Sequence, residues 1–306
     1  MANKFTASLT KTGANVESSY NTAPGTTVWF GKTQNFDVNQ QNVTEMNRTQ
    51  DLNREVHSID LIQKKFAGPV MYRVQGGDFF LSAFGSLSTT GPVSGVYTHT
   101  FTTGNSLPSY TLYHQKIGRG GESDIIHETT GCKTNEFALT CSEGGFLEAT
   151  NTVLAKDRNN SASEKTFTTS SVKSFRFSDI VNGEVTVDGN PVKITGYDYT
   201  RANTLSDEQE GELIAEPCAQ ELTETGTLTF DLRNDNAATP FRTGVEVPVV
   251  IRFTRGTDDY IELTHQVVFT DHPEPTGVEG MITVAAVMMI RSTTVVIKNT
   301  TATYTF

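Results

Sequence analysis

The stretch Gly131-Cys-Lys-Thr-Asn-Glu-Phe-Ala-Leu-Thr-Cys-Ser142, continued by Glu143-Gly-Gly-Phe-Leu-Glu-Ala-Thr150, decides the fold class. Phe137, Leu139 and Cys141 point one way, while Thr134, Glu136, Ala138 and Thr140 point the other, because successive side chains of a strand alternate between faces. Gly144 and Gly145 supply the turn. The segment therefore reads as two antiparallel strands, each with one apolar and one polar face.

Working outward, strands are predicted near residues 96–102 and 108–116 before this hairpin, which itself covers 131–142 and 145–155. Upstream, a strand is predicted over about 28–38, then a polar loop over 39–53 and a strand over about 54–66. A short amphipathic helix follows, with Asp78 as its cap and Phe79, Phe80, Ala83, Phe84 and Leu87 on one face. Residues 1–27 show no periodicity and read as an N-terminal arm.

The second half repeats that order. A strand over 191–200 and a polar, acidic loop over 201–221 precede a strand over 222–233. A helical turn begins at Asp235 and is cut short by Pro240. Strands near 246–254, 259–269, 280–290 and 293–299 complete it. Residues 156–171, with Asn159-Asn-Ser-Ala-Ser-Glu164, read as a polar linker between the halves. The expected organisation is an arm over 1–27, a first β domain with linker over 28–170, and a second β domain over 171–306.

Composition agrees with strands and turns. Only 19% of the 306 residues are charged, below the usual share, and Thr, Ser, Asn and Gly fill the gap. The formal charge of -11 argues against a protein that grips nucleic acid, which needs clustered Lys and Arg. Three cysteines form no paired framework, and Cys132 and Cys141 lie nine positions apart on one predicted strand, beyond bridging reach. The opening residues lack the apolar run of a signal peptide, and the apolar segment 281–290 is half the length of a membrane helix, so a soluble chain is expected.

No catalytic or metal-binding constellation stands out. His57, His99, His114, His127, His265 and His272 share no ligand spacing, and no Cys-x-x-Cys pair flanks them. Gly118-Arg-Gly-Gly121 lies between strands and reads as a loop. Asp258-Asp259 is ordinary turn chemistry. No enzyme activity, cofactor or metal is expected.

The informative pattern is a two-faced strand. Leu222, Leu228, Phe230 and Leu232 line one face, while Thr223, Thr225, Thr227, Thr229, Asp231 and Arg233 line the other. Such a strand belongs to a sheet with one side on a core and one side wet. The wet side is either an ordinary solvent face or the wall of a water-filled channel.

Several segments carry a family resemblance. Gly13-Ala-Asn-Val-Glu-Ser-Ser-Tyr-Asn-Thr-Ala-Pro24, Pro108-Ser-Tyr-Thr-Leu112, Gly183-Glu-Val-Thr-Val-Asp-Gly-Asn190 and Asp198-Tyr-Thr-Arg-Ala-Asn203 lie in order around the hairpin. Together with the closing strand over 294–299, the set resembles the tail tube proteins of tailed phages and related tailed archaeal viruses. Asn21 departs from the Gly more usual there. The resemblance implies a mainly β fold, with tandem tail-tube-type antiparallel β-sandwich or barrel domains and short flanking helices. It implies a structural virion protein, assembled in the host cytoplasm, whose rings stack into the conduit for viral DNA. Rings would be trimeric with pseudo-sixfold symmetry, or hexameric. Its partners would be itself, a tape measure protein, tail terminator and distal tail proteins, and duplex DNA passing without specific binding, with no membrane.

On that reading the lumen is lined by Thr223, Thr225, Thr227, Thr229 and Asp231, with Glu136 and Glu148 beside them. Ring stacking would use the long polar loops, through Asn39, Glu45 and Asn53 in the first and Arg201, Asp207, Glu210 and Glu216 in the second. A type VI secretion or contractile-injection inner tube shares the fold, although such subunits are usually about half this length. A carbohydrate-binding β-sandwich also reads as short strands with turns, but Trp29 alone offers little for sugar stacking.

Overall fold

A computed structural model describes residues 10–47, 58–118, 122–166, 172–181, 183–231, 244–271 and 283–306. The first ten strands are β1 (Thr10–Val16), β2 (Lys32–Phe36), β3 (Asn39–Asn47), β4 (Ser58–Arg73), β5 (Gly85–Val93), β6 (Val96–Thr103), β7 (Tyr110–Lys116), β8 (Ile125–Ser142), β9 (Glu148–Ala155) and β10 (Asp157–Asn159). Then come β11 (Val185–Val187), β12 (Asn190–Pro191), β13 (Ile194–Ala202), β14 (Gln209–Glu210), β15 (Leu213–Ile214), β16 (Thr223–Asp231), β17 (Val247–Gly256), β18 (Asp259–Asp271) and β19 (Thr283–Asn299). Among the described residues, helix is confined to α1 (Phe80–Phe84) and one 3-10 turn at Phe177–Asp179.

The Gly-Gly hairpin forms as its alternation requires. β8 and β9 pair from Thr140 opposite Glu148 to Lys133 opposite Leu154, and Gly144 takes a left-handed φ of 78° at the turn. Phe137, Leu139 and Cys141 are buried, while Glu136 and Ala138 are half-buried and Thr140 is exposed. The same inward face continues through Phe66, Val70 and Tyr72 of β4, Tyr197 and Tyr199 of β13, and Leu228 and Phe230 of β16. The sheet curls around this apolar face, and α1 fills it. Phe80 meets Phe137 edge to face at 5.1 Å, and Phe79 meets the C-terminal Phe306 at 5.1 Å. Such offset aromatic pairs add to the burial of their area.

All strand pairings are antiparallel, and one order occurs twice. The series β3-β4-β9-β8-β7-β1 recurs as β13-β16-β19-β18-β17-β11. The two series join where β13 pairs with the turn-side half of β8, from Gly196 opposite Ser142 to Ala202 opposite Glu136.

In the central strands the correspondence holds residue by residue. Asn39, Ala67, Leu154 and Lys133 form a row across the first series, as Thr200, Thr225, Met289 and Val268 do across the second. One row further, Pro69, Thr152 and Glu136 match Thr227, Val287 and Asp271. Between the two rows each series carries a one-residue bulge, at Asn135 in β8 and at Thr270 in β18. Gly68 and Gly226 fall at equivalent places. A Cβ on Gly68 would collide with the Asp37 carbonyl, and one on Gly226 would sit 2.7 Å from the Asp198 carbonyl.

Some predicted elements change. Residues 39–47 are strand rather than loop, because β3 pairs with β4 to make a long hairpin. The two predicted strands at 280–290 and 293–299 are one strand, β19, within its described part. Residues 10–16, read as arm, form β1 against β7. Asp78 does not cap α1, since the position before the helix is Phe79 at φ 65° and no side-chain bond reaches the first turn. Leu222 is exposed rather than part of the core. The turn predicted at Asp235 lies outside the described residues.

Candidate assembly surface

The outward face of the main sheet gathers the residues that the alternation singled out. Strand register places Glu148 opposite Thr140, Thr140 opposite Asp198, and Asp198 opposite Thr227. The neighbouring row runs Thr150, Ala138, Thr200, Thr225, and the next Thr152, Glu136, Ala202, Thr223. Thr223, Thr225, Thr227, Thr229, Glu136 and Glu148 thus share one continuous face spanning β9, β8, β13 and β16. Thr223 and Thr225 are exposed, and Thr227, Thr229, Glu136 and Glu148 are half-buried. Asp231 pairs with Thr283 through its backbone at the edge of the described residues.

The face is polar and mildly acidic. Arg73 lies 3.7 Å from Glu148, which also accepts a bond from Gln34 at 2.7 Å. Asp198, whose carboxyl is raised by partial burial, and Thr229 border a shallow cavity of about 550 Å³ together with Arg73 and Glu148. The threonine reading missed Met289 and Val287, which stand opposite Thr225 and Thr227 and are exposed. Residues 284–290 are apolar at every position, so no alternation marks the outward ones.

Behind the face, a buried polar chain ties the second series together. Arg201 donates to Glu224 at 2.5 Å and to the Ala83 carbonyl of α1 at 2.9 Å. Tyr199 donates to Glu224 at 2.8 Å, and Thr293 reaches the other carboxylate oxygen at 3.2 Å. His265 bridges Thr293 at 2.9 Å and Tyr197 at 2.8 Å. Burial pushes the His265 imidazole down to about 3. Among the described residues, no group of three His, Cys, Asp or Glu is placed to hold a metal ion. His57 and His272 lie outside the described residues.

The residues expected at ring-stacking loops separate. Asn39 and Glu45 sit in β3, and Asn53 lies outside the described residues. Arg201 is buried in β13, held by Glu224, and cannot face another ring. Asp207, Glu210 and Glu216 belong to a connection over 203–222 that folds back on its own chain. Asp207 meets Lys65 at 2.6 Å, Glu210 meets Lys156 at 2.5 Å, and Glu216 meets Lys133 at 2.8 Å. Glu212 adds Lys64 at 3.1 Å, and Tyr20 donates to the Ala215 carbonyl at 3.3 Å. The Lys65 ammonium holds the Asp207 carboxyl below its ordinary range.

A long curled antiparallel sheet with one apolar face packed on α1 and one polar face turned outward defines a mainly β protein. The family model for phage tail tube proteins matches residues 7–304, and the chain belongs to that family. It is a structural component of the virion tail that self-assembles into the tube. No individually curated protein matches the chain.

Proposed function

We propose that three copies close each ring of the tube with pseudo-sixfold symmetry, and that the outward face of β9, β8, β13 and β16 lines the lumen. The repeated pairing order, with its matched bulges and matched glycines, carries this reading. On this reading the chain holds two tail-tube-type domains, the second over 171–306 and the first, expected over 28–170, reaching back to include β1 at Thr10–Val16. Extended along the same sheet through β4 and β3 on one side and β19 and β18 on the other, the wall takes four strands from each domain, and three copies supply about 24 strands. At a spacing of about 4.8 Å and a tilt near ~40°, the backbone diameter is on the order of 48 Å, and roughly 35–40 Å after side chains. Duplex DNA passes through that without touching the wall.

The tape measure protein occupies this lumen during assembly in the host cytoplasm, and tail terminator and distal tail proteins cap its two ends. The connection over 203–222 sits at one rim, with Asp207, Glu210 and Glu216 more than half exposed beyond their lysine partners, and serves ring-to-ring contact. Electron microscopy of purified tubes tests the ring. Three chains per ring with six similar wall positions are expected, and six chains per ring would overturn the reading.

A further inference from the structure

We propose that the β3–β4 hairpin arm of one copy docks on the β16–β19–β18 surface of a neighbouring copy, repeating between chains the contact that residues 203–222 make within the chain. The inference rests on the ring reading above and names its seam.

The arm needs a cover. Every residue from Asn39 to Met46 is exposed, and β4 is β3's only strand partner among the described residues. Met46 and Ile59 stand directly opposite each other and are 60% and 62% exposed, with Leu61 two residues along on the same face. The 203–222 connection covers β4 at residues 62–65, but beyond it the arm's outer part is exposed; a two-stranded hairpin so exposed is marginal in water, and an apolar strip on it marks an interaction surface.

The chain contains the template for its cover. Thr44 faces Leu61 in the arm as Leu205 faces Ala219 in the second series, and both follow the same one-residue slip in register. Met46 therefore corresponds to Asp207, and Ile59 to Pro217. Within the chain, that second arm lies across the first series. Asp207 meets Lys65, and Lys133 binds both Glu216 and the Pro217 carbonyl, the latter at 2.9 Å. Leu154, opposite Lys133, is only 7% exposed.

The equivalent landing site on the second series is bare. Met289 takes the place of Leu154 and is 62% exposed. Val268 replaces Lys133, and Thr223 replaces Lys65, so the seam takes the Thr223–Thr225–Met289 end of the outward face and leaves the lumen to the rows of Thr227 and Thr229. Both sides of the contact thus change together. Where the second arm offers carboxylates to lysines, the first offers Met46, Ile59 and Leu61 to Met289, Val268 and the exposed Leu222. A contact that joins different patches on each copy propagates head to tail, and it closes as a ring when three such steps complete a full rotation.

Two measurements test this. In a Cys218→Ser background, Ile59→Cys with Val268→Cys should give disulfide-linked oligomers under mild oxidation, and neither single variant should. Ile59→Asp and Met289→Asp should melt as the wild-type monomer does, since both sites are exposed, yet require about tenfold or more protein to form rings, as burying an unpaired charge predicts. Rings that assemble normally in both aspartate variants, with no disulfide between copies, overturn the seam while leaving the tube reading intact. A wild-type chain that stays monomeric at every concentration overturns both.

Discussion

Arg201 and Glu224 are the residues on which the second series depends most. Their ion pair is sealed from water, and its remaining hydrogen bonds reach β13, β19 and α1. Removing one partner leaves the other charged and buried, at a cost of about 3–5 kcal/mol. Glu224→Ala should lower the urea midpoint accordingly, whereas Glu246→Ala, which removes a pair with exposed Arg291, should shift it by less than about 1 kcal/mol. His265 adds a pH dependence. Its imidazole titrates near 6.5 unfolded but at about 3 folded, so between those values the unfolded chain binds more protons. Stability is complete above pH 6.5 and falls as the pH drops toward 3. Equilibrium unfolding across that window should give a shallower slope for His265→Gln, and an unchanged slope would exclude this histidine as the source.

At the scale of elements, the matched glycines mark where a strand crosses close to its neighbour. Gly226→Ala forces a Cβ against the Asp198 carbonyl, and Gly68→Ala does the same at Asp37, where φ is also 146°. Each should destabilise by roughly 1–3 kcal/mol, read as a drop in melting temperature, while Gly256→Ala, which has open space, should not. Deleting residues 207–214 should leave a folded subunit that fails to stack, and normal tube growth would remove the connection from that role.

The strands most legible in the sequence were those with one wet and one dry face, such as β8, β9 and β16. β3 was not, because Asn39-Gln-Gln-Asn-Val-Thr-Glu-Met-Asn47 is polar on both sides and an arm exposed on both faces leaves no alternation. β19 was split because Arg291 and Ser292 interrupt its apolar run, although the ladder continues through them with a one-residue slip. The threonine face was readable from one strand alone. That Glu136 and Glu148 join it is a matter of register between strands, which their own alternation only suggests.

At the scale of the whole molecule, the wall's sign matters. On the proposed reading of the outward face as the lumen wall, its carboxylates and hydroxyls repel a duplex over about a Debye length, ~8 Å at physiological salt, and offer phosphates nothing to hold. Lysines at Thr227 and Asp231, clear of the Met289 seam, should permit tube assembly but slow DNA ejection, most at low salt, as timed by fluorescence of released DNA. Equal ejection times would show that wall charge is immaterial. The lysine–carboxylate contact over 203–222 has a different consequence. Its two sides belong to one polypeptide, so each meets the other at a high effective concentration, and no association entropy is lost in bringing them together. A few half-exposed ion pairs, each worth about 0–1 kcal/mol, are enough there. A junction between separate copies has no tether and must overcome the full cost of association. Fusing two domains into one chain thus lets alternate junctions of a ring evolve apart. On the proposed three-copy ring, the three junctions within chains are tethered, salt-sensitive contacts, and the three between copies carry the apolar area that sets the concentration at which the ring forms.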